Sequence, residues 1–211
     1  ELLLEERGHR VKAYDLFKQL VWFWEGLLNS PDELANLCDS YRKSHEDFVI
    51  KSKHSSKQVR GLLKEDFKIY QLFLRDADEY SLTNAAMFYA INRSSFSGGT
   101  LSGGYSQRAA YARFTDSSID RVRNFKVNSF TVECQDFKVS IPNNSDAFLY
   151  CDPPYALEDS FLYGDNRKMH KGFDHQGLYD ILSKRDRWVL SYNDSDSVRD
   201  MYKDYKIVDL D

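Results

Sequence analysis

The sequence predicts an α/β fold, a mostly parallel sheet with helices on both faces and an inserted, mainly helical segment. Strand and helix patterns alternate over residues 1–42 and again over 126–211 of the 211-residue chain, while residues 43–125 have mostly helical patterns. An apolar strand near residue 150 ends at a carboxylate and two prolines. We therefore expect one domain divided by an insertion, with a ligand site where parallel strands end.

The chain begins with a predicted strand and two predicted helices. His9–Asp15 has the pattern of a short strand that ends in an acid, and Leu16–Leu28 has apolar residues at helical spacing. Ser30-Pro31-Asp32-Glu33 has the pattern of a capping box with proline in the first turn, so we expect a second helix to about Arg42. Asp15 either accepts hydrogen bonds from ribose hydroxyls, as an acid at this place in a nucleotide-binding sheet does, or caps the helix that follows.

The predicted insertion is polar and basic. Residues 41–130 hold 15 Lys and Arg against 9 Asp and Glu, a net charge of +6 within a chain of net charge −4. This asymmetry favours a nucleic-acid partner, although a solvated helical insertion explains it equally well. After the polar stretch Lys43–Lys57, helical spacing predicts helices from about Val59 to Asp76 and from Ser81 to Asn92.

Glycine and serine dominate Asn92–Tyr105, which predicts a mobile loop. The loop lacks the Gly-Lys-Ser/Thr sequence of a P-loop. It is either a flexible connector or a place where small residues let the backbone approach a phosphate chain. In the second interpretation arginines supply charge and aromatic rings supply stacking faces, and the candidates are Arg93, Phe96, Tyr105, Arg108 and Arg113.

Strand and helix patterns resume after the insertion. Asp116 begins a predicted helix, Asn128–Phe137 alternates like a strand, and Val139–Pro142 leads to the next strand. The polar stretch Ala156–Gly172 is long enough to be a lid over the site. The remaining predicted elements are a helix capped by Asp174 that runs through Leu182, a buried strand Trp188–Tyr192, a helix from Ser195 and a last strand Lys206–Leu210.

Asp152-Pro153-Pro154-Tyr155 is the stretch that most favours a chemical function. It follows the apolar strand Ala147–Tyr150, and two prolines without N–H groups force the chain out of the sheet. Asp152 offers carboxylate oxygens, Pro153 a carbonyl with no role in the ladder and Tyr155 a flat face. Two acceptors and a stacking ring suit a planar base that has an exocyclic amine. An Asp-Pro pair alone more often marks a simple turn, and the apolar strand before it favours the site here.

The composition argues against several classes of protein. No run approaches the roughly 18 apolar residues of a membrane span, and no signal-peptide pattern is present. Cys38, Cys134 and Cys151 are odd in number and lack Cys-x-x-Cys spacing, so we expect neither a disulfide framework nor a zinc site. We expect a reducing, cytoplasmic compartment, no membrane partner and no metal.

The motifs, taken in order, are similar to those of the Dam-type adenine-specific (N6) DNA methyltransferases. Tyr14–Leu16 resembles the acidic motif after the second strand of that family, and Asn92–Gly98 resembles its Asn-Arg-x-x-aromatic-x-Gly element at the DNA face. Asp152–Tyr155 resembles its catalytic tetrapeptide, and Phe173–Leu178 with Trp188–Asn193 resembles its closing helix and strand. The resemblance spans nearly the whole chain.

Two features depart from the family pattern. The glycine-rich cofactor loop is absent, and Glu1–Gly8 has the pattern of a helix end with a C-cap glycine, so we expect the catalytic domain to lack its first strand and that loop. The family's Phe-Asn-Val-Pro run is replaced by Tyr105-Ser106-Gln107-Arg108, which predicts a different recognition sequence or substrate.

The resemblance implies a Rossmann-like methyltransferase sheet formed by residues 1–42 and 126–211, with 43–125 as an inserted target-recognition subdomain. It implies methyl transfer from S-adenosylmethionine, which leaves S-adenosylhomocysteine, to the exocyclic amine of an adenine flipped out of double-stranded DNA. We expect a monomer associated with DNA in a bacterial or viral context. With the loop candidates added, the expected site residues are Asp152, Pro153, Pro154 and Tyr155 for catalysis, Asp15, Leu16, Asp136, Phe137 and Asp152 for the cofactor, and Arg93, Phe96, Ser97, Tyr105, Arg108 and Arg113 for DNA.

Two other functions stay open on the sequence alone. A chain without the cofactor loop could be a catalytically inactive or truncated protein of the same fold that only binds DNA. The same chemistry could also act on cytosine or on RNA. Aspartate rather than serine at the head of the tetrapeptide favours adenine, by analogy with the family.

Overall fold

The computed structural model describes residues 8–51, 53, 55–155 and 173–210, so the expected lid and the expected helix end at residues 1–7 lie outside the described residues. Six strands, nine α-helices and one 3₁₀ turn form in these ranges. The strands are β1 (Val11–Asp15), β2 (Lys43–Lys51), β3 (Ser56–Gly61), β4 (Phe130–Cys134), β5 (Leu149–Cys151) and β6 (Trp188–Leu190). The helices are α1 (Lys18–Asn29), α2 (Pro31–Ser40), α3 (Lys64–Asp76), α4 (Leu82–Ser94), α5 (Gln107–Ala112), α6 (Asp116–Arg123), α7 (Phe137–Asn143), α8 (His175–Leu182) and α9 (Asp196–Met201), and the 3₁₀ turn is Phe96–Gly98.

The strands form two parallel pairs and one antiparallel hairpin. β1 lies parallel to β4, with Asp15 opposite Cys134, and β5 lies parallel to β6, with Cys151 opposite Leu190. β2 and β3 form the hairpin. This mixed α/β architecture with mostly parallel strands confirms the predicted fold class. Each parallel pair presents its two carboxyl ends at one edge, and the candidate acids follow those ends.

Most buried apolar side chains belong to one helical core. Helices α1 to α4 and α6 pack together around it, and Leu34 and Leu74 are fully buried there. A smaller cluster, formed by Ile141, Leu178 and Leu182, packs α7 and α8 against β5 and β6. No helix in the described part of the chain has a stretch that is long and apolar enough to cross a membrane.

The hairpin β2–β3 occupies the place where a helix was expected to begin. Val59 lies in β3, and the helix starts only at Lys64. The expectation was wrong because contacts distant in sequence override the local helical spacing. Phe48 of β2 is buried, and a Cβ on Gly61 would lie 2.4 Å from the Ala110 carbonyl oxygen of α5. Only glycine permits this close approach of hairpin and helix.

Several predicted helix boundaries are confirmed by side-chain caps. The Asp174 carboxylate accepts a hydrogen bond from the Gly177 N–H at 2.8 Å, at the start of α8. The Ser195 hydroxyl accepts one from the Val198 N–H at 3.4 Å, at the start of α9. The helix predicted from Asp116 is α6. Local capping chemistry therefore determines where these helices begin.

Three other local predictions are wrong. Ser30 makes no side-chain capping bond, because its backbone also ends α1 and its N–H donates to the Gly26 carbonyl at 2.9 Å. Val139–Pro142 is not a connection but part of α7, which Asp136 caps. Lys206–Leu210 is not a strand, and no described strand pairs with it.

β5 and β6 are buried on one face and exposed on the other in the described structure. Leu149 and Cys151 pack against the small apolar cluster, whereas Phe148 is 64% and Tyr150 66% exposed. Val189 of β6 is also exposed. The expectation of a buried strand at Trp188–Tyr192 is met on one face only, because alternate residues of a strand point to opposite faces and α7 and α8 cover one of them.

Candidate active site and DNA-binding loop

Asp152 lies immediately after β5, where this parallel pair of strands ends. The ladder extends one residue further, since the Ser191 N–H donates to the last carbonyl of β5 at 2.9 Å. Pro153 is buried and has no N–H to continue the ladder, and Pro154 is half-buried. Asp152 and Tyr155 are exposed, Tyr155 by 43%. In this turn Pro153 is therefore buried, whereas the Asp152 carboxylate and the Tyr155 ring lie at the protein surface.

A hydroxyl group from the end of β6 contacts this carboxylate. Ser191 Oγ donates to Asp152 Oδ1 at 2.8 Å, and the Tyr150 hydroxyl lies 3.1 Å from Ser191 Oγ. Ser191 belongs to none of the sequence motifs that predict site residues. It lies directly after β6, and the parallel register of β5 and β6 sets it beside Asp152.

Aromatic side chains cluster around the start of α8. The Phe173 ring centre lies 5.1 Å from that of Phe137 and 4.9 Å from that of His175. His175 Nδ1 hydrogen-bonds with the Tyr192 hydroxyl. Burial lowers the pKa of His175 below its usual value and raises that of Tyr192, so both side chains are uncharged at neutral pH. Phe137, a predicted cofactor residue, thus packs against Phe173 at the start of α8.

Two further carboxylates lie where β1 and β4 end. Asp15 Oδ1 accepts a hydrogen bond from the N–H of Phe17, the residue before α1, at 2.7 Å, and the first turn of α1 has no side-chain cap, so the capping interpretation is wrong. Asp136 Oδ1 accepts one from the Lys138 N–H at 2.7 Å. In the described residues neither Oδ2 atom has a hydrogen-bond partner, and no group of three or more His, Cys, Asp and Glu there could hold a metal ion. Leu16, next to Asp15, is 53% exposed.

The glycine-rich loop is ordered, because side chains of α3 bind its backbone. Gln71 Nε2 lies 2.8 Å from the Thr100 carbonyl oxygen, 3.1 Å from that of Leu101 and 2.9 Å from that of Gly103. Arg75 Nη2 also donates to the Leu101 carbonyl, at 2.5 Å. The Leu101 side chain is 1% exposed and packs in the helical core. The expectation of a mobile loop was therefore wrong.

A family model described as D12 class N6 adenine-specific DNA methyltransferase matches residues 2–211. The chain belongs to this family. The protein is accordingly a DNA methyltransferase that is specific for adenine, as the ordered motifs of the sequence indicated. No curated protein matches the chain at a significant level of similarity.

Three of the DNA-contact candidates of this methyltransferase are exposed. Phe96 is 71% exposed and Ser97 lies beside it with a φ of 51°, in the 3₁₀ turn that follows α4. Arg108 is exposed at the start of α5. Its side chain lines a groove of about 580 Å³ between β2 and α5, together with Glu46 and Tyr111.

The other three candidates of this methyltransferase are engaged within the protein. Arg93 donates through Nε and Nη2 to the Arg113 carbonyl at 3.1 and 2.9 Å, and burial lowers the pKa of its guanidinium group. The Tyr105 hydroxyl donates to the Leu62 carbonyl at 2.9 Å, and burial raises its pKa to about 12. Arg113 is half-buried, with Nη1 3.4 Å from the Ser95 carbonyl. Their first role is to stabilise the loop and the end of α5.

Proposed function

We propose that this enzyme moves a methyl group from S-adenosylmethionine to the exocyclic amine of an adenine flipped out of double-stranded DNA. The observation that carries the proposal is the exposed Asp152 carboxylate, which is bound at Oδ1 by Ser191 and has no partner at Oδ2 among the described residues. It stands at the carboxyl end of a parallel strand, where α/β sheets bind ligands, beside the exposed ring of Tyr155. Flipping is needed because the amine cannot reach such a site from within a base stack.

The chemistry follows from the weakness of the amine as a nucleophile. Its lone pair is delocalised into the purine ring, so the nitrogen must become pyramidal before it attacks. Asp152 and the Pro153 carbonyl would accept hydrogen bonds from the two N–H groups, which favours that geometry and stabilises the positive charge that develops on nitrogen. Tyr155 would stack on the flipped base and hold its plane. Much of the remaining rate enhancement would come from alignment of the reacting atoms.

S-adenosylmethionine supplies a methyl group on a sulfonium centre, which is a good leaving group, and the residues at the ends of β1 and β4 are proposed to hold the rest of the molecule. Asp15 Oδ1 accepts from the Phe17 N–H before α1, which leaves Oδ2 to accept from ribose hydroxyls. Leu16 offers an exposed apolar surface next to it. Asp136, again with a free Oδ2, and Phe137 are proposed for the adenine end, and Asp152 for the end nearest the reacting amine.

The ordered loop and α5 are proposed as the DNA contact. The exposed ring of Phe96 is available to stack in the space that a flipped base leaves, which would offset part of the few kcal/mol that flipping costs. Ser97 would approach the phosphate chain, and the exposed Arg108 would bind a phosphate or a base edge. Residues 43–125, which contain both, are the proposed target-recognition part of the chain.

The test is methyl transfer from labelled S-adenosylmethionine to adenine-containing duplex DNA. Asp152→Ala is expected to lower kcat by at least about a hundredfold, because it removes one of two acceptors for the developing charge, while the Kd for DNA stays within about twofold. Asp200→Ala, which removes an exposed carboxylate on α9, is the matched control and is expected to keep full activity.

Comparable turnover by Asp152→Ala would overturn the assignment of the catalytic carboxylate. Calorimetric titration of the wild-type protein with S-adenosylmethionine tests the cofactor separately. Absence of binding at millimolar concentration would favour a protein that keeps the fold and binds DNA without catalysis.

A further inference from the structure

We propose that Ser191, assisted by Tyr150, is a positioning residue that fixes the orientation of the Asp152 carboxylate before the methyl-transfer step. The inference rests on the proposed function, since it concerns the same site, but it assigns a role to two residues outside the catalytic tetrapeptide. It starts from a short chain of hydrogen bonds on the exposed face of β5 and β6.

The register of the two strands brings the three side chains together. Tyr150 of β5 and Asp152, directly after the strand, are two residues apart, so their side chains point to the same side of the sheet. Cys151 pairs with Leu190, which sets Ser191 beside Asp152. The Tyr150 hydroxyl lies 3.1 Å from Ser191 Oγ, and Ser191 Oγ lies 2.8 Å from Asp152 Oδ1.

The direction of the hydrogen bonds follows from counting donors. An ionised carboxylate only accepts, so the single hydroxyl hydrogen of Ser191 is donated to Asp152. The other contact must then run from the Tyr150 hydroxyl to Ser191 Oγ. Donors that point the same way polarise one another, so Tyr150 strengthens the bond that Ser191 gives to the carboxylate.

As a consequence, Asp152 Oδ1 is held by Ser191, and Oδ2 has a fixed orientation. Asp152 is exposed, and the terminal torsion of a free aspartate is broad. The bond from Ser191 to Oδ1 selects one orientation, in which Oδ2 is left to accept from the amine of the base. An acceptor that is in place before the base arrives acts on the transition state, and its effect is therefore expected in kcat.

The Ser191 side chain is not needed for the strand pairing itself. The backbone N–H of Ser191 makes the ladder bond to the Cys151 carbonyl at 2.9 Å, and any residue except proline supplies that group. Ser191→Ala therefore removes the hydroxyl group and leaves the ladder intact. This separates a role in positioning from a role in folding.

The experiment measures methylation kinetics and thermal unfolding for Ser191→Ala, Ser191→Thr and Tyr150→Phe. Loss of one charge-assisted hydrogen bond predicts that Ser191→Ala lowers kcat about tenfold, with the KM for DNA and the Tm unchanged. Tyr150→Phe is expected to lower kcat about threefold, because it acts only through Ser191. Ser191→Thr keeps the hydroxyl and is expected to restore most of kcat. The control is Ser183→Ala, whose hydroxyl bonds a carbonyl at the end of α8 and which is expected to change nothing.

Wild-type kcat in Ser191→Ala would overturn the inference. So would a loss of kcat that comes with a fall in Tm and that threonine does not restore, since this would indicate a structural role only. The proposed function fails differently: a wild-type protein that transfers no methyl group would refute it and this role together. If the wild-type protein transfers methyl groups and Ser191→Ala has the same kcat, only the positioning role of Ser191 is refuted.

Discussion

Replacing Gln71 with alanine measures how strongly the glycine-rich loop is held. Its amide nitrogen contacts three loop carbonyl oxygens at 2.8, 3.1 and 2.9 Å, but an amide has only two N–H groups, so it makes at most two full hydrogen bonds. A net contribution of about 0.5–1.5 kcal/mol for each predicts that Gln71→Ala loses about 1–3 kcal/mol of unfolding free energy. For a chain of this size each kcal/mol lowers the Tm by roughly 2–4 °C.

Urea unfolding followed by circular dichroism is the assay. Gln176→Ala is the matched control, because that amide makes one exposed hydrogen bond to Asp180 within α8 and its loss should cost less than about 0.5 kcal/mol. Gln71→Glu keeps the length of the side chain but turns acceptor oxygens toward the loop carbonyls, so it should destabilise at least as much as Gln71→Ala. A wild-type unfolding free energy for both Gln71 variants would refute the idea that this side chain orders the loop.

The same variant connects loop order to DNA binding. If the loop presents Phe96 to DNA, a loosened loop must be ordered during binding, and the Kd for DNA should rise several-fold in Gln71→Ala. Phe96→Ala should raise it as well. When both changes are combined, the effect should be smaller than the sum of the two single effects, because both act through the same loop. Additive effects would show that Gln71 influences DNA binding by another route.

The remaining predictions concern charged side chains. Arg108→Ala should reduce the slope of log K for DNA against log salt by about 0.9, measured by fluorescence anisotropy, because the exposed guanidinium group releases about one counterion. Arg93→Ala should instead lower the unfolding free energy by about 1–3 kcal/mol, since its donors bind the Arg113 carbonyl; a salt slope changed by Arg93→Ala at unchanged stability would contradict this. The hydrogen bond from Arg42 lowers the pKa of Asp116 below 3.8, so its stabilisation is present above pH 3.8 and is lost as the pH falls through the lowered value. In acid titrations followed by circular dichroism, Asp116→Asn should remove that part of the pH dependence, and an identical acid transition would contradict the assignment.

Predictions from sequence were accurate where the determining interaction lies within a few residues. Asp174 and Ser195 begin their helices through bonds to N–H groups three residues ahead, which capping patterns describe directly. The end of β5 just before Asp152 follows from the prolines after that residue, because proline cannot continue a ladder. For Asp15 the local pattern left two interpretations open: its 2.7 Å bond to the Phe17 N–H forms a turn before α1 and not a helix cap, and the ribose contact stays a prediction.

Predictions failed where the partner is distant in the chain. The hairpin at Val59 depends on the close approach of the Gly61 backbone to Ala110, some 50 residues later. The spacing of apolar residues near Val59 cannot predict that contact. The loop predicted to be mobile is ordered by Gln71, which lies on another helix and belongs to no recognised motif. The content of glycine and serine indicates how freely the backbone of a loop can move. Whether the loop is ordered depends on which hydrogen-bond donors lie near its carbonyl groups.

The same distinction applies to the active site and explains which of its residues motifs can reveal. Asp152 and the prolines after it are contiguous, so one tetrapeptide contains both the acceptor and the turn that exposes it. Ser191 lies 39 residues away and contacts the carboxylate only because β5 and β6 pair in parallel, in a register that makes the residues after the two strands neighbours. A serine after a strand has no signal of its own until that register is known. The local sequence thus identifies the reactive carboxylate. Its orientation depends on the pairing of two strands and is seen only in the structure.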